Sequence, residues 1–193
     1  MTMRVIAGRF RSRQLKSPRG LALRPTSDRL RETLFNVLAG EVAGSVWLDL
    51  YAGTGAVGIE ALSRGASRVY FVESSRTAAT VIRANLLALG IEGGCELLER
   101  DVLTALRKLD SEAVACDFCF LDPPYRDQKA YDGTLSFLSS SRLLHQASVV
   151  IAEHDKHFDP GDSFAALKRY RTLRQGDAVL SFYRKVLTAD SRG

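Results

Sequence analysis

Asp122-Pro123-Pro124-Tyr125 sets an acid, two prolines and an aromatic ring in direct succession behind an apolar run. This grouping suits one demanding reaction. The exocyclic amine of a nucleobase is a poor nucleophile, because its lone pair is delocalised into the ring. Two acceptors, the Asp122 carboxylate and the Pro123 carbonyl, can take its two N–H groups and draw the nitrogen towards a tetrahedral geometry. Pro123 and Pro124 fix the backbone, and Tyr125 can stack on the flat base. Catalysis would then rest on positioning and electrostatics. A plain rigid turn explains the prolines, but not the acid and the ring that flank them.

A second constellation is Asp49-Leu50-Tyr51-Ala52-Gly53-Thr54-Gly55-Ala56-Val57-Gly58. Gly53, Gly55 and Gly58 satisfy G-x-G-x-x-G, which by itself serves nicotinamide dinucleotides as well as adenosylmethionine. Glu73 ends the next apolar run, where an acid can accept hydrogen bonds from both ribose hydroxyls of an adenosine. Asp49 tips the balance. A carboxylate just before the glycine turn would repel a pyrophosphate, yet it can hold the amino group of a methionine moiety. Asp101 stands just after the third expected strand, where it can cap the helix that starts at Val102. With Tyr51, Thr54, Ser74 and Val102 these residues form the expected cofactor-binding set, and the expected cofactor is S-adenosylmethionine.

The elements that must carry these residues read as strands alternating with helices. Strands are expected at 45–50, 68–73, 96–99, 114–121 and 147–153, with helices at 56–63, 77–89, 102–109 and 131–138. A closing hairpin of 168–174 and 178–186 follows. That rhythm implies a doubly wound, mostly parallel, seven-stranded α/β sheet of Rossmann-like type. Ligands bind such sheets outside the carboxyl ends of the strands, where both constellations fall. Before it, residues 3–16 read as a hairpin around Gly8-Arg9-Phe10, and a helix runs from Thr26 or Ser27 to about Ala39. We divide the chain into a basic hairpin-helix extension, 1–40, and a catalytic domain, 41–187.

The 193 residues carry a net charge of +5, distributed unevenly. Residues 1–31 hold nine Lys and Arg and one acid, giving +8, so the remainder sums to −3. A basic block beside a mildly acidic body suits a polyanion-binding arm. Arg4, Arg9, Arg11, Arg13, Arg24, Thr26, Arg29 and Arg31 are the expected RNA contacts, and the arm is expected to add nothing to the core. Cys116 and Cys119 read as inert core residues, with no second pair to complete a metal site, and Cys95 leaves an odd count that does not suit a disulfide framework. The histidines, His145, His154 and His157, are scattered; Glu153-His154 follows the fifth strand without a favoured role. No apolar stretch approaches the ~20 residues of a membrane span, and no leader is visible. A cytoplasmic monomer is expected.

Four strings carry a family resemblance. Asp49–Gly55 resembles the first motif of class I methyltransferases, and Asp122–Tyr125 is similar to the fourth motif of amino methyltransferases acting on adenine, cytosine, guanine or glutamine amides. Arg4–Gly8 and Arg24–Asn36 look like the N-terminal signature of the RsmD family. The resemblance runs from Arg4 to about Lys185, with its weakest stretch at Phe158–Arg174. It implies methylation of guanine N2 in small-subunit (16S) ribosomal RNA, on an assembled or partly assembled subunit, with Asp101 at the adenine amino group and Arg24–Asn36 lying over the cofactor and helping to grip the RNA. Alternatives from other classes are an adenine-N6 methyltransferase of DNA or RNA, a nicotinamide-dependent oxidoreductase, and a non-catalytic RNA-binding module.

Overall fold

The computed structural model describes residues 3–17, 26–124 and 127–186. The chain forms two compact units, Met1–Val102 and Leu103–Gly193. The first holds α1 (Asp28–Val37), β1 (Val46–Leu50), α2 (Ala56–Ser63), β2 (Arg68–Val72), α3 (Arg76–Ala88) and β3 (Cys95–Leu98). Its strands lie in the order β3-β2-β1, each pair parallel. The apolar faces of α1 and β1 explain much of its core. Leu30, Leu34 and Phe35 recur at helical spacing and are buried, and the Phe35 ring stacks on Trp47 at 5.2 Å. Ser27 starts α1 by accepting the Leu30 N–H, and Ser75 starts α3 in the same way through Ala78.

The second unit takes up α4 (Val102–Ser111) from Leu103 onward and adds β4 (Cys116–Leu121), α5 (Gln128–Ser140) and β5 (Leu144–Asp155). It closes with β6 (Ser163–Phe164), β7 (Leu167–Gln175) and β8 (Ala178–Lys185). The order is β4-β5-β8-β7-β6, parallel for β4–β5 and antiparallel for the other pairs. The parallel pairs thus belong to β1–β5 and the antiparallel ones to the closing strands. The described residues hold eight strands where seven were expected. The addition, β6, is two residues long and too short to show any alternation of polarity. β5 starts earlier than expected because His145, Gln146 and Ala147 are exposed and conceal the strand. Cys116 and Cys119 are fully buried, and burial pushes the Cys116 thiol far above its usual range.

The N-terminal hairpin shortens to a single antiparallel bridge, Arg4 with Gln14. Its cause lies in where the amides go. Ile6 and Ala7 donate their N–H groups to the carboxylate of Glu60 on α2, at 2.8 and 3.0 Å, and not to an opposing strand. Gly8 presses so closely on the end of α2 that a Cβ there would lie 1.9 Å from the Ser63 carbonyl oxygen. Met3, Val5 and Leu15 are buried. The arm is therefore a fastened part of the first unit, which corrects the expectation that it adds nothing to the core.

Candidate active site

β1 delivers the chain into a turn that only unusual backbone can make. Gly53 and Gly55 adopt φ of 55° and 75°, and the non-glycine Tyr51 is held at 58°, in the left-handed region. Over Gly53 the nearest atom to an added Cβ would be 3.9 Å away, so the backbone there is open to an approaching ligand. At Gly58 an added Cβ would overlap the Phe71 ring at 2.3 Å, so this third glycine serves the packing of α2 on β2. Gly55 caps α2 without a side-chain hydrogen bond. The helix instead receives Asp49, whose carboxylate accepts the Gly58 N–H at 2.9 Å.

Asp49 is the electrostatic centre of this turn. Its side chain is buried, and among the described residues it takes no other hydrogen bond. Burial drives its pKa up to about 7; the Gly58 N–H opposes the shift and nearby Glu73 adds to it. A buried carboxylate with so little compensation is suited to a cationic partner such as an α-ammonium group. Glu73 is half-buried beyond the end of β2 and is held by two amides. One oxygen accepts from Gly53 N–H and the other from Ser75 N–H, each at 2.8 Å. Both oxygens retain lone pairs for a diol. Ser74 and Asp101 are exposed beside β2 and at the start of α4, whereas Val102 is buried. Thr54 is buried and turned inward, its hydroxyl directed to the Met3 sulfur at 3.6 Å.

Two residues of this unit escaped the reading of the sequence. Asn85 on α3 binds Lys16 through both its amide and its carbonyl, and donates to the Thr54 carbonyl at 3.0 Å. One side chain thus ties the arm to the glycine turn. Glu60 also receives the Arg64 Nε at 2.7 Å. Its signal was present, since it is the one acid in Ala-Val-Gly-Ile-Glu-Ala-Leu-Ser, a helix otherwise suited to burial on every side.

The proposed RNA contacts separate by exposure. Arg4, Arg9, Arg11, Arg13 and Arg29 are exposed, while Arg24 lies outside the described residues. Arg31 corrects the expectation. Its side chain is fully buried and donates to the Thr26 carbonyl, the Arg4 carbonyl and Asp28. It is a structural pin between α1 and the arm, with no surface to offer RNA. Thr26, also buried, contributes its carbonyl to that pin.

In the second unit, Asp122 follows β4 directly and is half-buried. Pro123 is buried and Pro124 exposed; Tyr125 lies outside the described residues. Glu153 and His154 fall within β5 and not after it, both buried. The Tyr131 hydroxyl donates to the Glu153 carbonyl, and His154 Nε2 pairs with Ser181 Oγ at 2.9 Å. Burial holds His154 below its ordinary pKa, in keeping with a structural neutral ring. Among the described residues no group of three or more His, Cys, Asp or Glu could hold a metal, and no helix is long and apolar enough to cross a membrane.

Comparison with known proteins adds the lineage. A family model described as conserved hypothetical protein 95 matches residues 3–184. The chain belongs to this family, that of the RsmD methyltransferases. It is 36% identical to the ribosomal RNA small subunit methyltransferase D of Haemophilus influenzae, over 80% of this chain and 79% of that one. The namesake of Escherichia coli K12 is 33% identical over 79% and 75%. Among solved structures, the yhhF protein of Escherichia coli superposes with a TM-score of 0.82 at 30% identity. That match covers 96% of this chain and 98% of the other.

Proposed function

We propose that this RsmD-family protein transfers the methyl group of S-adenosylmethionine to the exocyclic N2 amine of a guanine in small-subunit ribosomal RNA. The observation that carries the reading is the match along nearly the whole chain to relatives named ribosomal RNA small subunit methyltransferase D. The geometry supports it residue by residue. Asp49 would hold the ammonium of the methionine moiety and Glu73 the ribose hydroxyls, with the open backbone at Gly53 admitting the ligand between them. The cofactor, when bound, supplies an electrophilic methyl on a sulfonium.

The rest of the work falls to the chain. Asp122 and the Pro123 carbonyl accept the two amine N–H groups and so free the nitrogen lone pair for in-line attack. Methylation would leave the nitrogen with one proton too many, and the Asp122 carboxylate that already accepts its N–H would take that proton on to solvent. Tyr125 would hold the plane of the base. The arm arginines Arg4, Arg9, Arg11, Arg13, Arg24 and Arg29 would engage phosphates in the cytoplasm, where the ribosomal RNA is found. An oxidoreductase is disfavoured by Asp49, whose carboxylate stands where a pyrophosphate would have to lie.

Methyl transfer to small-subunit RNA, read by nucleoside mass spectrometry, is the test. Asp122→Ala should lose about 10²–10³-fold in turnover with adenosylhomocysteine affinity little changed; near-normal turnover removes Asp122 from the mechanism. Appearance of N6-methyladenosine in place of N2-methylguanosine would transfer the assignment to the adenine alternative. Asp49 adds a pH dependence. Its folded pKa of about 7 lies above the ordinary 3.8, so below 7 it must surrender a proton to bind a cation. Cofactor affinity should therefore climb as pH rises to about 7 and level off above it, and Asp49→Asn should flatten the profile.

A further inference from the structure

The closing strands carry a surface that the proposed reaction does not use. In β7 the pairing with β8 jumps from Arg169↔Tyr183 to Arg171↔Phe182, so Tyr170 is the extra residue of a bulge. Bulges re-aim side chains, and this one leaves Tyr170 47% exposed. The Arg184 guanidinium lies over that ring at 4.7 Å, and Arg171 sits 5.9 Å from the Phe182 ring beneath. Lys168 is the direct cross-strand partner of Arg184, a like-charge pair that sheet pairing alone disfavours. Lys168, Arg171 and Arg184 are exposed and, among the described residues, form no ion pair.

Arg169 shows that this is not a general property of the strand. Its side chain is engaged with Asp159, Asp162 and Ser181. A solvated edge offers a simpler account of the cations. β6 covers only Leu167 and Lys168, and charge on the remaining edge of β7 would discourage pairing with another chain. That account does not cover Tyr170, since an exposed aromatic on a bare edge favours association.

We infer that this face of β7 and β8 is a second RNA-binding surface, which takes an unpaired base against Tyr170 and its neighbouring phosphates on Lys168, Arg171 and Arg184. The inference rests on the ribosomal RNA reading above and extends it to residues outside the arm and both motifs. An exposed ring beside guanidinium planes and cations that hold no acid is the combination by which proteins hold single strands without reading sequence.

The test uses the full chain and a single-stranded oligoribonucleotide of roughly 12 nucleotides, long enough for one such surface. Tyr170→Ala should weaken binding about tenfold or more, while Tyr170→Phe retains it. Replacing Lys168, Arg171 and Arg184 together by Ala should lower the salt dependence by about 2 log units per log unit of salt. Melting temperature and adenosylhomocysteine affinity should hold in every variant, since these side chains are exposed. Unchanged binding by Tyr170→Ala in a folded protein overturns the proposal, as does a loss confined to the triple variant. Equal binding of polyglutamate, insensitive to Tyr170, would make the face an acidic-protein contact and also overturn it. Methyl transfer by the wild-type protein is measured alongside. Its absence would refute the ribosomal RNA reading alone; its presence with Tyr170-independent binding would refute this surface alone.

Discussion

Glu60 in the first unit and Arg169 in the second are clamps of opposite sign. Glu60 is fully buried and gathers the Ile6 and Ala7 amides and the Arg64 guanidinium. Arg169, with 13% of its side chain exposed, gathers Asp159 and Asp162, whose side chains are 63% and 82% exposed. Both fasten an irregular segment to regular structure, the arm in one case and residues 159–162 in the other. They differ in what remains if the clamp is removed. Without Glu60, two half-buried backbone amides and a mostly buried guanidinium lose their acceptor. Without Arg169, the two carboxylates return to solvent. Burial of the partners, more than the charge of the clamp, sets the energetic stake.

The largest effect is accordingly expected at Glu60. Glu60→Ala should cost about 3–5 kcal/mol in urea unfolding, the range for stripping one partner from a buried charged group. Proteolysis within residues 3–17 should accelerate at the same time. A loss near that of a surface substitution would break the contrast between the two clamps.

Asn85→Ala probes the second fastening of the arm. Its carbonyl accepts from Lys16 N–H at 2.7 Å, and its amide donates to the Lys16 and Thr54 carbonyls. The loss should be about 1–3 kcal/mol. Because the Thr54 carbonyl belongs to the glycine turn, adenosylhomocysteine affinity measured by calorimetry should also fall. If stability drops while affinity holds, the arm and the turn are fastened side by side without coupling.

Arg169→Ala should cost about 1 kcal/mol, discounted because both acids are exposed. Its signature is in acid. The guanidinium hydrogen bond holds the Asp159 carboxyl below its ordinary value of 3.8. The stability this contributes is complete above 3.8 and is lost as pH falls below it through the lowered folded value. Arg169→Ala should therefore remove part of the acid sensitivity in that range and leave the neutral-pH slope alone. Unfolding midpoints compared at pH 3 and pH 6 distinguish the two.

The contrast also marks what was legible in the sequence. Alternating strands and helices are dictated by local apolar periodicity, and the glycine turn by residues with special backbone, so both were readable. Glu60 was readable only as an anomaly, because nothing local to α2 names the amides of Ile6 and Ala7, more than fifty residues away. Arg31 misled for the same reason. In a run of arginines its type promises a surface, and only the folded arm shows that its neighbours' carbonyls enclose it. β6 and the Tyr170 bulge were illegible because they depend on the register of partner strands.

The smallest effect on stability should come from the exposed arginines of the arm, and it sharpens the comparison most. Arg9 and Arg11 are exposed, and the Arg13 guanidinium donates to the Ala88 carbonyl at the surface. Replacing the three together by Ala should change unfolding by no more than about 0.5 kcal/mol each, against several for Glu60, which fastens the same arm to α2. If these side chains meet RNA phosphates, affinity should fall, and the slope of log affinity against log salt should flatten by about 0.9 per lost contact on a duplex, or 0.7 on a single strand. Cofactor affinity should hold, because none of the three touches the glycine turn. Unchanged RNA affinity and slope would mean that the buried side of the arm is its whole purpose. A flattened slope without loss of stability would show one short segment divided by face, with its backbone anchoring the fold and its side chains engaging the substrate.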